Sequence, residues 1–363
     1  MEAVFFPRKD YNVEVCAHRY GKAMTYTDQT DQLKLTTSYD WFVATAKARG
    51  IKIGFFAYYN EPLSPIFGKA LDDLNSGAIW IDQYSWAPEI KDKIVAHETI
   101  TPEEFRTAYL NSLLPPFYSA IGYKPLALSY SYGNFSFKDA VCPLYLGGRN
   151  SGDENCDGTD YGYGYGSPSN VPYSQAVSCN QPSSYRWYDQ GRTLISGGMD
   201  AQTAFETVIG NVNTAIATTK ANHGWFRNFT HFHSVIANGH EEFAEMYYDM
   251  LSLNNLDDDI YFAGYGEALA YLVYREMITR AVMYAPKMYA DTLIIRLETR
   301  NTDGVDTSLL RIPISVRFTT NGTTLAGAEI TSDCNLITLG GGDYIVEIPF
   351  GRFPSAVITR GNS

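Results

Sequence analysis

The sequence predicts an α/β protein: a distorted (β/α) barrel over residues 1–285, followed by a small all-β, sandwich-like domain over 287–363. Three observations carry that expectation. Short apolar runs alternate with helix-like segments through the first 285 residues, the rhythm of a βα repeat. After Pro286 the hydrophobic period changes to two. Between them, residues 140–198 contain GGRNSGDENCDGTDYGYGYGSPSNVPYS, which interrupts the rhythm without ending it. Such a stretch reads as an irregular insertion over one rim of the barrel.

The elements follow in order. Residues 22–27 read as a first strand and 37–49 as a helix closed by Gly50. Residues 52–57 (KIGFFA) and 78–82 (AIWID) are further strands. Thr101-Pro102-Glu103-Glu104 is a helix start, with a capping Thr, Pro at the first helical position and Glu three residues past the cap. That helix is expected to run to about 114, where Pro115-Pro116 stops it. A strand at 125–130 (PLALSY) precedes the insertion. After it come a helix at 200–220 capped by Asp200, a strand at 228–235 (NFTHFHSV), a helix at 240–251, a strand at 259–263 and an amphipathic helix at 265–284. In the tail, 292–299, 309–318 and 344–350 alternate, and Asn321-Gly322 signals a hairpin.

Bulk properties remove several function classes. No apolar run approaches the eighteen or so residues of a membrane span. Met1-Glu2 opens no basic-then-apolar leader, so the expected location is cytoplasmic or virion-associated. A net charge of −12 argues against a duplex nucleic-acid binder, which needs a basic face; it is compatible with neutral or cationic glycans. The five cysteines show no CxxC, although Cys142, Cys156 and Cys179 fall together in the insertion. The 28 Tyr, 19 Phe and 5 Trp suit either a sugar-binding surface or an assembly interface, including a homo-oligomer.

Five motifs, in order over about residues 13 to 280, resemble those of the polysaccharide deacetylases, enzymes that de-N-acetylate chitin, chitooligosaccharides and peptidoglycan. Thr25-Tyr26-Thr27-Asp28-Gln29 is similar to the family's Thr-Phe-Asp-Asp-Gly, whose first Asp is a general base and second a metal ligand. The run from Glu89 to His97, followed by Thr101-Pro-Glu-Glu104, resembles the Glu-Ile-Gly-Asn-His-x-x-x-His motif with its two metal histidines. Gly122-Tyr-Lys-Pro125 leads to Tyr130-Ser131-Tyr132-Gly133, as the family's Pro-(Pro/Tyr)-Tyr-Gly motif follows Gly-x-x-Pro. His233 matches the late histidine that serves as general acid, and the run from Ile260 to Glu267 resembles the closing strand and helix start.

The resemblance implies a divalent metal, zinc or similar, that activates a water for attack on a sugar amide, with a carboxylate and a histidine moving protons. It implies Asp28 and His97 as metal ligands, Asp28 and His233 as catalytic groups, and Tyr130, Tyr132, His231 and Glu267 on the substrate. The departures are specific. In either register of the first motif one carboxylate is missing, unless Asp31 replaces it, and Lys93 stands where the first metal histidine is expected. An ammonium cannot ligate a cation, and Asp28 with His97 alone are too few for a tight zinc site.

The residues also have plainer readings. Asp28 suits a helix cap, His97 a surface, and Glu267 the positive end of a helix. His231 and His233 alternate with Phe232, which on a strand would put both on one face. The Tyr-Gly run at 161–166 suits sugar stacking or an irregular loop. Three functions stand: a metal-dependent deacetylase with an unusual ligand set, a glycan-binding module on a degenerate deacetylase barrel, or a structural component of a virion or cell-surface assembly. The departures favour a deacetylase-like carbohydrate-active protein whose metal-dependent deacetylation of glycans is impaired or lost; the alternative is a non-catalytic glycan-binding or structural component of a phage virion or cell-surface assembly built on that fold.

Overall fold

In the computed structural model the described residues are 12–15, 23–30, 36–57, 67–84, 90–96, 98–110, 114–130, 145–150, 186–221, 226–256, 260–285, 291–299, 307–320, 324–331, 333–351 and 354–359. The chain divides into two compact units, one of residues 23–269 and one of 1–22 with 270–363.

The larger unit is mixed α/β. After β1 (Asn12–Val15), which belongs to the other unit, its elements begin with β2 (Ala23–Thr30), α1 (Thr36–Lys47), β3 (Ile53–Ala57), α2 (Phe67–Asn75) and β4 (Ile79–Tyr84). Then come α3 (Lys91–Val95), α4 (Pro102–Phe105), a π-helical turn (Arg106–Leu110), α5 (Leu114–Ile121), β5 (Ala127–Tyr130) and β6 (Gly147–Asn150). The last are α6 (Trp187–Ser196), α7 (Ala201–Ala221), β7 (Phe226–Phe229), α8 (Phe232–Ala237), α9 (Glu241–Asn254), β8 (Ile260–Phe262) and the start of α10 (Tyr265–Met277).

Among the described residues the seven strands of this unit run parallel, in the order β6-β5-β4-β3-β2-β7, with β8 also on β2. The sheet fits part of a barrel; among the described residues no pairing joins β6 to β7. Every residue of β3 is buried, as a parallel strand covered on both faces requires. Ile53, Phe55, Ile79 and Ile81 pack in one core with Tyr39 and Phe42 of α1 and Phe67 and Ala70 of α2. α1 ends as the sequence implies: Gly50 takes φ +69°, and Ile51 N–H closes back on Ala46 O at 3.0 Å. The predicted caps at Thr101 and Asp200 are also present, each accepting a backbone N–H from three residues ahead.

Several expectations are corrected. Pro115-Pro116 does not merely stop a helix; the pair lies in the first turn of α5, where the missing N–H groups would have no partner in any case. Residues 140–198 are not wholly irregular, since β6 and α6 lie within them. Trp187 of α6 explains why that helix forms. Its ring is fully buried and stacks on Tyr247 at 4.6 Å, and its Nε1 donates to Thr230 Oγ1 at 2.7 Å. The helix predicted over 265–284 stops at Met277, and Ile278–Tyr284 forms β9, a run whose β-branched Ile278, Thr279 and Val282 favour a strand.

The other unit holds two four-stranded antiparallel sheets, β1-β11-β14-β13 and β12-β15-β10-β9. Its remaining strands are β10 (Thr292–Thr299), β11 (Ile314–Thr319), β12 (Glu329–Ile330), β13 (Asn335–Gly340), β14 (Asp343–Ile348) and β15 (Ser355–Thr359). Asn321-Gly322 lies outside the described residues; the strands on either side of it, β11 and β12, belong to different sheets. The tight turn is instead between β13 and β14, where Gly341 and Gly342 take φ +63° and +89°. Two positive φ values in a two-residue loop match the twist of the strands they join. Cys334 is a free thiol here; the other four cysteines lie outside the described residues.

Candidate functional site at the carboxyl edge of the parallel sheet

In parallel α/β sheets ligands gather beyond the carboxyl ends of the strands. Across five neighbouring strands those ends carry no formal charge: Ser129-Tyr130 on β5, Gln83-Tyr84 on β4, Phe56-Ala57 on β3, Gln29-Thr30 on β2 and Asn228-Phe229 on β7. At the margin, β6 ends in Arg149-Asn150.

Gln83, Ser129, Asn228 and Thr230 are all buried. Gln83 Nε2 donates to Ala57 O at 3.0 Å, tying β4 to the last carbonyl of β3. Asn228 Nδ2 lies 3.4 Å from Thr230 Oγ1, the same oxygen that takes the Trp187 proton. α6 is thereby fixed to the end of β7, just before the histidines.

His231 and His233 do not share a strand face. β7 ends at Phe229; His231 is the residue before α8, and His233 is inside its first turn. The expectation from alternation fails because Phe232 turns into the core, stacking on Phe42 at 3.8 Å, and the chain coils to deliver it. The two imidazoles are nevertheless neighbours, with centroids 5.6 Å apart and planes at 73°. His233 Nε2 lies 3.3 Å from Ser234 Oγ. Behind them the Tyr188 hydroxyl donates to Ser234 O at 2.9 Å and lies 3.0 Å from His240 Nδ1, so it accepts the imidazole proton there. Burial pushes this phenol up to about 12.

Asp28 lies on β2, in register with Asn228 on one side and with Ile53, the first residue of β3, on the other. Tyr130 is the last residue of β5 and pairs with Asn150 of β6. His97, Tyr132 and Asp31 lie outside the described residues. Lys93 is not at a strand end: β4 stops at Tyr84, and Lys93 sits on α3, where its ammonium bonds Glu104 Oε1. Lys93, with the Thr101 amide and hydroxyl, holds the Glu104 carboxyl down at about 2.

Glu267 is committed within the fold. Its oxygens accept from Lys52 Nζ at 2.9 Å each, from the Tyr261 hydroxyl at 2.8 Å and from Gly264 N–H at 3.2 Å. Sequence reasoning missed its companion, Asp82. This carboxyl is buried in mid-strand and accepts from Leu126 and Ala127 N–H at 3.2 and 3.1 Å, and from Gly266 N–H at 2.7 Å. Burial pushes Asp82 up to about 7, against the pull of those amides. The signal for it was an acid inside the apolar strand AIWID.

Among the described residues, which leave out His97 and Asp31, no three His, Cys, Asp or Glu side chains converge, and the position expected to supply the first histidine holds an ammonium paired with a carboxylate.

The backbone course can be compared with solved structures. The chain is similar to polysaccharide deacetylases. One from Mycobacterium smegmatis is 10% identical with a TM-score of 0.41, over 74% of this chain and 99% of that one. One from Bacillus cereus is 11% identical with a TM-score of 0.36, over 67% and 92%. A family 4 carbohydrate esterase from Streptomyces lividans, solved with acetate, is 9% identical with a TM-score of 0.34, over 66% and 90%. No protein-family model and no curated protein sequence matches. Among the described residues no helix is long and apolar enough to cross a membrane.

Proposed function

We propose that this chain is a carbohydrate-active protein on a deacetylase-like α/β fold, in which metal-dependent deacetylation is impaired or lost and a glycan is bound at the carboxyl edge of the parallel sheet. The observation that carries the reading is the chemistry of that edge. Hydrolysis of a sugar amide asks for groups that hold a cation and move protons. The strand ends there are uncharged, and the Gln83 carboxamide, whose Oε1 is left to accept, is instead suited to a hydrogen bond with a sugar hydroxyl. Closure of the sheet into a deacetylase-type barrel, and packing of the two antiparallel sheets as a sandwich, belong to the same reading. In it Asp28 and His97 are the residue of a former ligand set, Tyr130, Tyr132 and His231 line the saccharide, and His233 retains a place for a general acid without a partner metal. Glu267 serves by holding the segment that backs the sheet.

Elemental analysis of the purified protein, beside an Asp28→Ala, His97→Ala double variant, tests this. The expected result is far less than one zinc, cobalt or nickel per chain in both. One metal per chain, lost in the double variant, would overturn the reading and restore the enzyme.

A further inference from the structure

Gln83 carries a feature that its neighbours at the sheet edge do not explain. It is the next-to-last residue of β4 and 0% exposed. A carboxamide has a donor end and an acceptor end, and which is which is normally open to a flip. Here the orientation is decided, because the Ala57 carbonyl accepts only from the NH₂ end, 3.0 Å away. The oxygen therefore points elsewhere, and among the described residues no donor reaches Oε1. Buried acceptors are almost always satisfied, and leaving one empty is costly.

The ends of the neighbouring strands bear on the chemistry of what completes it. The last two residues of β5, β4, β3, β2 and β7 offer no formal charge to balance an ionic ligand. The missing partner must donate, since Oε1 can only accept. We infer that Gln83 Oε1 is the acceptor for a hydroxyl or amide N–H of an uncharged polar ligand at the carboxyl edge of β3 and β4, and that Gln83 sets its orientation. This rests on the glycan reading above and names the residue and the atom that read the sugar. It also gives a discrimination: a ligand presenting only acceptors at this point leaves two lone-pair groups facing each other and is rejected.

The test is calorimetric titration of the full chain with the tetramer of N-acetylglucosamine, comparing the native protein with Gln83→Met and Gln83→Glu. Methionine keeps the length and removes both polar ends. Glutamate gives up the bond to Ala57 but keeps an acceptor. The expected result is that Gln83→Met weakens binding at least about tenfold, the scale of one lost hydrogen bond in a closed site, while its melting temperature is unchanged or higher. Gln83→Glu is expected to retain most of the affinity, a rescue that a purely structural role would not give. If Gln83→Met melts far below the native protein, the Gln83→Glu titration decides, and loss of binding there overturns the inference. Equal affinity for native and Gln83→Met proteins means that a buried water satisfies the oxygen; that overturns this inference and leaves the glycan reading standing. No binding by the native protein overturns both.

Discussion

Replacing Asp82 with alanine is expected to lower the stability of the 23–269 unit by about 3 kcal/mol or more, since three buried amides lose their acceptor together. Those amides belong to distant parts of the chain: Leu126 and Ala127 open β5, and Gly266 opens α10. One carboxyl thus ties β4 to both. The fit is close on the glycine side, where a Cβ built on Gly266 would stand 2.3 Å from Asp82 Oδ1. Gly266→Ala is therefore expected to destabilise by about 1–3 kcal/mol through overpacking. Combined with Asp82→Ala it should cost less than the sum, because the clash disappears with the carboxyl. Chemical denaturation of the four proteins measures this. The pH dependence has a definite sign. Asp82 is raised in the folded state to about 7, so its contribution is fully present below the ordinary carboxylate range and is lost as pH rises towards 7. Asp82→Asn should be less stable than the native protein at acid pH and should flatten that slope.

Glu267→Ala is expected to be comparably severe, about 3–5 kcal/mol, for a different reason. Lys52 is only 18% exposed and its ammonium has both Glu267 oxygens at 2.9 Å. Removing the carboxylate strands a largely buried cation and frees the Tyr261 hydroxyl and the Gly264 amide. The double variant Lys52→Met, Glu267→Ala should recover part of the loss, since no unpaired charge remains. Thermal unfolding of the single and double variants separates the two contributions. If Glu267→Ala melts with the native protein, the side chain is free for another role.

The parallel architecture was legible because apolar runs such as KIGFFA and PLALSY are separated by helix signals, and Gly50, Thr101 and Asp200 cap where their chemistry says they should. What was not legible depended on contacts distant in sequence. His233 looked like a strand residue because alternation around Phe232 is real; only the stacking partner, Phe42, some 190 positions earlier, explains why the segment coils. Trp187 lay in a stretch whose composition reads as loop, and its helix follows from a hydrogen bond to Thr230 and packing on Tyr247. Lys93 was read as a residue of the site from motif spacing alone. Spacing fixes order along the chain, and the end of β4 at Tyr84 is what moves the sheet edge to Gln83 instead.

The most direct test of a sugar site that works without metal is a paired measurement on one preparation: binding of the N-acetylglucosamine tetramer, and release of acetate from it, each with chelator and with added zinc or cobalt. The account predicts binding of the same affinity in both conditions and no acetate in either. Acetate release that appears with metal and vanishes with chelator would contradict it.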